Sequence, residues 1–278
     1  MNRQDLLKIA IDASLKAGEA IMAVYNQPVI TVVAKDDLSP LTLADQRANG
    51  IILQYLAATG IPVLSEESFH EPWEVRRAWN QCWIVDPLDG TKEFIRKNGE
   101  FTVNIALADL GIPVMGIIYA PATGELFFGM SDSGAFKAVI SPESALLLSA
   151  DEVISMAKKI PFQDSQVDVF TVVASRSHRN AETDACIAAI EQKHAQIRII
   201  SRGSSLKICM VAEGVAEVYP RFAPTMEWDT AAGHAIATAA GCSMINPATN
   251  KPLTYNKKHL ENPYFIVQRK LLNNLSND

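Results

Sequence analysis

The sequence predicts a mixed α/β protein, α+β in its first half and α/β in its second. Three observations carry this expectation. Two long stretches of helical apolar spacing open the chain, and a run of short apolar segments parted by turn residues follows. Strand-like and helix-like segments then alternate to the end. At 278 residues, the chain suffices for one large domain or two smaller ones.

The elements follow in order. Leu6, Leu7, Ala10, Ala13, Ala17, Ile21 and Val24 recur at helical spacing, so residues 3–25 form a helix that Asn2 can cap. A second helix is expected over about 43–59, stopped by Gly60 and Pro62. Residues 62–65 read as a short strand ending at the acidic pair Glu66-Glu67. Trp83-Ile84-Val85 is a buried strand, and the chain is expected to break at Asp86-Pro87 and again at Asp89-Gly90. Segments 101–108, 113–119, 126–130 and 135–139 form a meander, with turns at Asp109-Leu110-Gly111 and at residues 121–124. Periodicity fades over 141–167. That places a division between an N-terminal α+β subdomain, 1–145, and a C-terminal α/β subdomain, 146–278. Strands are then expected at 169–174, 197–201, 215–219 and 264–267, and helices at 182–193, 206–213 and 230–240.

Composition excludes several classes. With 48% hydrophobic and 20% charged residues, the chain is neither disordered nor fibrous, and a formal charge of −6 excludes a broad nucleic-acid surface. Cys82, Cys186, Cys209 and Cys242 form no CxxC pair, which argues against zinc or a disulfide framework and suits a reducing cytoplasm. The N-terminus has no signal-peptide core, and no apolar run reaches the roughly 18 residues of a transmembrane segment.

Three acidic clusters carry the chemistry. Asp86 and Asp89 emerge at a strand end, between Pro87 with its fixed φ and Gly90 with its conformational freedom. Such a turn aims two carboxylates and the Leu88 carbonyl at one point, an oxygen-only set that suits Mg²⁺. An ordinary surface turn uses the same residue types, so the rest of the chain decides. Glu66-Glu67 also follows a strand, where open α/β sheets place ligand sites, although a solvated loop would look the same. Asp229 opens a helix, where N-capping alone would explain it; a capping carboxylate can also hold a metal. Ala231, Ala232 and Gly233 are small enough to let that helix approach neighbouring backbone closely.

Asp86-Pro87-Leu88-Asp89-Gly90-Thr91, the pair at 66–67 and Trp228-Asp229-Thr230-Ala231-Ala232-Gly233 together resemble the signature of the inositol monophosphatase superfamily. Residues 35–45, with Ser39-Pro40 and Thr42-Leu43-Ala44-Asp45, resemble its upstream motif; Leu41 stands where relatives often carry Val. The motifs match in order and approximate spacing from about 35 to 235. Within the superfamily, residues 90–95, 98–104, 175–178, 203–207 and 219–221 are most similar to the 3′(2′),5′-bisphosphate nucleotidase branch.

The resemblance implies a layered αβαβα sandwich of the sugar/inositol phosphatase type and a Mg²⁺-dependent, lithium-sensitive phosphomonoesterase. Glu66, Asp86 and the Leu88 carbonyl would bind one ion; Asp86, Asp89 and Asp229 would bind a second; a third, weaker ion belongs near Glu66. Thr91, oriented by Asp45, would position or deprotonate the attacking water, assisted by Glu66 or Glu67. Substrate contacts are implied for Gly90, Thr91, His178, Gly203, Ser204, Lys207, Arg221 and Asp229. Solvated charges would equally explain Lys207 and Arg221, and an exposed loop histidine would explain His178. Lys92 and Glu93 read as substrate contacts or as a simple ion pair, the latter being the favoured reading.

The implied reaction converts 3′-phosphoadenosine 5′-phosphate (PAP) to AMP and phosphate. Its phosphosulfate analogue (PAPS) is a further substrate, in sulfur assimilation. An inositol or sugar monophosphatase is the rival of the same class. A non-catalytic metal- or nucleotide-sensing protein is the rival of another class, but no acidic ligand is lost here, nor is Thr91. The expected partner is a small nucleotide, without nucleic acid or a transmembrane segment. A homodimer and peripheral association with the cytoplasmic face of the inner membrane stay open.

Overall fold

Alternation along the strands sorts the side chains onto two faces, and each face builds its own core. The computed structural model describes residues 1–28, 32–34, 40–68, 70–141, 144, 147–161, 169–175 and 180–270. The strands are β1 (Val32–Ala34), β2 (Pro40–Thr42), β3 (Val63–Ser65), β4 (Gln81–Asp89), β5 (Thr102–Asp109), β6 (Ile112–Ala120), β7 (Glu125–Met130), β8 (Gly134–Val139), β9 (Lys158–Ile160), β10 (Phe170–Val173), β11 (Ile197–Ile200), β12 (Val218–Arg221), β13 (Ser243–Asn246), β14 (Lys251–Pro252) and β15 (Phe265–Gln268). β1 and β2 form a separate ribbon. Seven strands, β3 to β9 in order, form one sheet, and six form another in the order β11-β10-β12-β15-β13-β14. Strand β3 runs parallel to β4; the rest of the first sheet is antiparallel.

On one face of the first sheet, Trp83, Val85, Val103, Ile105, Leu107, Ile117 and Tyr119 pack against the helices Arg3–Tyr25 and Leu43–Ala57. Both helices start at the expected place, each with a capping box: Asn2 with Asp5, and Thr42 with Asp45. On the opposite face Cys82, Ile84, Ala106, Ala108, Ile118 and Phe127 pack against the helices Leu206–Ala212 and Glu227–Ala239. Val173, Tyr219, Phe265 and Val267 of the second sheet cover the other side of those two helices. The outward face of that sheet, with Val172 and Val218, meets Ile187 of the helix Ala181–Glu191. The result is the five-layer αβαβα order.

The middle layer is packed unusually close. A Cβ on Gly116 of β6 would lie 2.2 Å from the carbonyl oxygen of Ala232, and one on Gly129 of β7 would lie 3.1 Å from the Cα of Ile236. The backbone of the helix Glu227–Ala239 therefore rests directly on the sheet. Gly233 makes the matching approach to Ile208: an added Cβ would lie 2.7 Å from its Cδ1.

One expectation needs correction. The chain does not leave the sheet at Asp86-Pro87: β4 continues to Asp89, with Asp86 paired to Asn104, Asp89 paired to Thr102 and a register shift between them. A bulge is where a strand accommodates proline, because no ladder hydrogen bond is needed there. A short helix, Thr91–Ile95, then begins immediately after Gly90, whose φ of +90° suits glycine. Beyond residue 145, two more elements join the first sheet and its helices. The helix Ala150–Met156 packs on the first helix and β9 pairs with β8. At seven and three residues, these elements are too short to display a period.

All four cysteines are free thiols, three of them buried. Among the described residues, no helix is long and apolar enough to cross a membrane.

Candidate functional site

The parallel pairing of β3 with β4 brings the ends of both strands to one edge. Ser65 sits opposite Val85, and the Glu66 N–H donates to the Val85 carbonyl at 3.1 Å. Asn49, on the helix Leu43–Ala57, fixes the turn that follows. It accepts from Ser65 Oγ at 2.7 Å and donates to Ser68 Oγ and to the Glu67 carbonyl. Asp86 is the next residue of β4, 1% exposed, and its Oδ1 accepts from the Leu88 N–H at 3.0 Å. Burial pushes its carboxyl well above the usual range, reinforced by the charges of Glu66, Asp89 and Asp229 and by a hydrogen bond with Glu66. Burial also pushes Asp229 up to about 8, with Asp89 next in effect.

Asp229 is the third residue of its helix, not the cap. Met226 occupies the cap position, and its N–H donates to Asp229 Oδ2 at 2.8 Å. Asp89 is similarly tied through one oxygen. Its Oδ2 accepts from the Ser205 N–H at 2.7 Å, from the Ser204 hydroxyl, and at a longer 3.4 Å from Asn104 Nδ2. On the other side of the turn, Asp45 Oδ2 accepts from the N–H and the hydroxyl of Thr42 at 2.8 and 2.6 Å. Its Oδ1 accepts from Thr91 Oγ at 3.3 Å. The water-orienting pair expected from the sequence is thus brought together.

A cavity of about 330 Å³ opens over this cluster. Glu66, Asp89, Gly90, Thr91 and Asp229 line it together with Gly203, Ser204, Lys207, Tyr219 and Arg221 from the second half of the chain. Arg221, at the end of β12, is 8% exposed and donates from Nη2 to the Pro224 carbonyl at 3.2 Å. Its buried Nε has no hydrogen-bond partner among the described residues. An unpaired buried donor of this kind costs about 1–3 kcal/mol unless a ligand accepts from it.

The remaining expected contacts are placed differently. The Lys207 ammonium is not an open solvated charge: it donates to the carbonyls of Ser204 and Arg202 at 2.6 and 3.2 Å and lies 5.9 Å from the Tyr219 ring centre. The Gly203 N–H donates to Glu100 Oε2 at 3.0 Å. Lys92 and Glu93 form no ion pair with each other among the described residues, and both line the cavity. His178 lies outside the described residues, although nearby Ser175 is a lining residue. Arg202 also lines the cavity and pairs with Glu125, which in turn pairs with Lys137 at 2.9 Å. Burial resists the charge on Glu125, but Arg202 and Lys137 outweigh it and hold the carboxyl down to about 2.

Thr102, Asn104, Ser205 and Asn49 join the site without having been expected there. The signal for two of them is present in the sequence: in Phe101-Thr102-Val103-Asn104-Ile105, polar residues alternate with apolar ones in a strand that is buried on both faces. A polar residue on a doubly buried strand needs a partner.

The donor set fits a hard divalent cation. Buried carboxylates that repel one another are stabilised by a counter-cation, and oxygen-only donors suit Mg²⁺. Among the described residues, no three His, Cys, Asp or Glu side chains already close around one point. Glu66, Asp89 and Asp229 line the cavity, and buried Asp86 lies close enough to feel the charges of all three.

Comparison with known proteins places the chain in context. The profile of the Inositol monophosphatase family matches residues 2–275. The 3′(2′),5′-bisphosphate nucleotidase CysQ of Shigella flexneri is 45% identical over 255 residues, covering 90% of this chain and 94% of that protein. The crystal structure of CysQ from Bacteroides thetaiotaomicron superposes with a TM-score of 0.87 at 49% identity, covering 97% of this chain and 98% of the other. The suhB protein of Bartonella henselae shares the fold, with a TM-score of 0.72 at 22% identity, over 96% of this chain and 94% of the other.

Proposed function

Because this chain belongs to the inositol monophosphatase family, we propose that it is a metal-dependent 3′(2′),5′-bisphosphate nucleotidase that hydrolyses the 3′-phosphate of PAP to give AMP and phosphate. The observation that carries the nucleotide preference is the cavity's double character. It holds a carboxylate cluster and, from β12, a buried arginine with an unpaired donor. An inositol monophosphate has one phosphate and gives Arg221 no anion; a nucleoside bisphosphate has two. The likeness to the Shigella and Bacteroides proteins supports the same choice.

Glu66, Asp86, the Leu88 carbonyl, Asp89 and Asp229 would hold two or three Mg²⁺ ions. Bound Mg²⁺ supplies a more acidic water and neutralises charge on the phosphoryl oxygens. The chain's own groups do the rest. Thr91 donates its proton to Asp45 Oδ1, leaving its oxygen lone pairs to accept a hydrogen bond from the attacking water. Asp45 is kept in that orientation because Thr42 occupies its other oxygen. Water attacks phosphorus in line with the ribose 3′ oxygen, the P–O3′ bond breaks, and the proton the water loses balances the one the 3′ oxygen takes up as it leaves as a hydroxyl. No covalent enzyme intermediate is needed. PAPS presents the same 3′ end and is expected to react at the same site. The four free cysteines support a reducing, cytoplasmic setting.

The reading is tested by phosphate release from PAP and from myo-inositol 1-phosphate, each with and without Mg²⁺. PAP should be far the better substrate; the reverse order would overturn the nucleotide assignment. Replacing Arg221→Met should raise KM for PAP by about 10- to 100-fold, the loss of a charge-assisted hydrogen bond. Slow turnover of myo-inositol 1-phosphate should be unaffected, and an equal loss on both substrates would count against a 5′-phosphate contact.

A further inference from the structure

Two of the segments that resemble the nucleotidase branch, 98–104 and 203–207, are bonded to each other. Glu100 takes the Gly203 N–H, Thr102 Oγ lies 2.6 Å from Ser204 Oγ and 2.8 Å from Ser205 Oγ, and Ser205 Oγ donates to Asn104 Oδ1 at 2.8 Å. Together they join the start of β5 to the segment at 203–205, across the two halves of the chain.

The count of available protons gives this contact a direction. The Asp89 carboxylate only accepts, so the Ser204 hydroxyl donates to it. With the Ser204 proton committed there, only Thr102 can donate in the 2.6 Å contact, which is shorter than the 3.0 Å from the same hydroxyl to Asn104 Oδ1. The order is Thr102 to Ser204 to Asp89. The amide of Asn104 is oriented by the same carboxylate, which requires its Nδ2 on the Asp89 side. Ser204 holds a φ of +57°, left-handed and uncommon for a residue with a β-carbon. Its carbonyl is held by Lys207 at 2.6 Å and its hydroxyl by Thr102. All three donors to the Asp89 side chain converge on Oδ2, and none of the described residues donates to Oδ1.

We propose that Thr102 is a positioning residue for Asp89. By donating to Ser204 it fixes the rotamer that saturates one carboxylate oxygen, and it thereby turns the other toward the cation. Thr102 is wholly buried and absent from the cavity wall, so it acts through Asp89 and not on the nucleotide. The inference rests on the metal-dependent reading above but not on the identity of the substrate.

The test replaces Thr102→Val, which keeps the shape and removes the donor, and Thr102→Ser, which keeps the donor. The direct readout is Mn²⁺ binding followed by electron paramagnetic resonance in the absence of nucleotide. Thr102→Val should bind Mn²⁺ about 10- to 100-fold more weakly, as for lost partners of metal ligands, while KM for PAP at saturating Mg²⁺ stays within about twofold. Thr102→Ser should bind Mn²⁺ within about threefold of wild type. Thr102→Ala, which introduces no new atoms, should match Thr102→Val. Wild-type Mn²⁺ binding by Thr102→Val would overturn the proposal, as would equal weakening in the Ser and Val variants. If the wild type prefers inositol phosphate while Thr102→Val still loses Mn²⁺, the nucleotide assignment fails and the positioning role stands.

Discussion

Asp86→Asn should abolish phosphate release and, in the same protein, raise the melting temperature measured without metal. The two effects share one cause. Asp86 is buried, and its neighbours Glu66, Asp89 and Asp229 all disfavour its charge. An asparagine of the same shape removes that repulsion and can keep the contact between Oδ1 and the Leu88 N–H. In a chain of this size, each kcal/mol recovered raises the midpoint by about 2–4 °C. Function suffers in exchange: losing the carboxylate proposed as a ligand to two cations should lower the rate by about a thousandfold or more, at least the loss seen when one electrostatic stabiliser is removed. Adding Mg²⁺ should raise the wild-type midpoint by ligand linkage and leave the variant's nearly unchanged. An Asp86→Asn protein that keeps its activity would refute the metal mechanism; one that keeps the wild-type response to Mg²⁺ would refute the assignment of Asp86 as a ligand.

Gly116→Ala should be strongly destabilising for a change of a single methyl group. The new carbon would meet the Ala232 carbonyl oxygen at 2.2 Å and the Ala232 Cα at 2.9 Å. Those atoms belong to helix backbone and cannot rotate away as a side chain would. Overpacking of this kind costs about 1–3 kcal/mol, and a rigid neighbour puts the expectation at the upper end. Relief requires the helix Glu227–Ala239 to rise from the sheet and carry Asp229 with it, so Mg²⁺ affinity should fall even where the protein remains folded. Gly50 is the control. It lies exposed on the helix Leu43–Ala57 with nothing within 4 Å of its added carbon. There Gly50→Ala should stabilise by about 0.5–1 kcal/mol through helix propensity. Denaturant melts of both variants, followed by Mg²⁺ titration, decide the matter; a neutral Gly116→Ala would mean that the layers are not in contact as described.

Much of this molecule is legible in its residues, for reasons that differ by element. The first helix is readable because seven apolar residues keep its period over 23 residues and Asn2 supplies a side-chain cap. The meander is readable because its turns carry glycine and proline. The short β13 and β14 are not, since Ser243–Asn246 and Lys251–Pro252 expose polar groups and find their place only by pairing with β15 or with each other. At the candidate site, Asp45 and Thr91 are readable as a pair only through the family's motifs, because 46 positions separate them. The acids at 66, 86, 89 and 229 are visible as local clusters, yet their mutual approach depends on the parallel pairing of β3 with β4 and on two glycines under a helix. Lys207 passes for a solvated charge because sequence does not reveal that two carbonyls of its own loop capture its ammonium.

The division of β5 between two cores has a bearing on how such a chain can change over generations. Val103, Ile105 and Leu107 serve one core, while Thr102, Asn104, Ala106 and Ala108 face the other way. Inserting or deleting one residue in β5 would exchange these sets at a stroke, sending large side chains into the tight middle layer and the polar pair into the oil of the first. Substitutions can accumulate there one at a time, but length cannot drift. Insertions and deletions should instead collect at turns such as 109–111, where Leu110 is 74% exposed and the strand frame is free to restart.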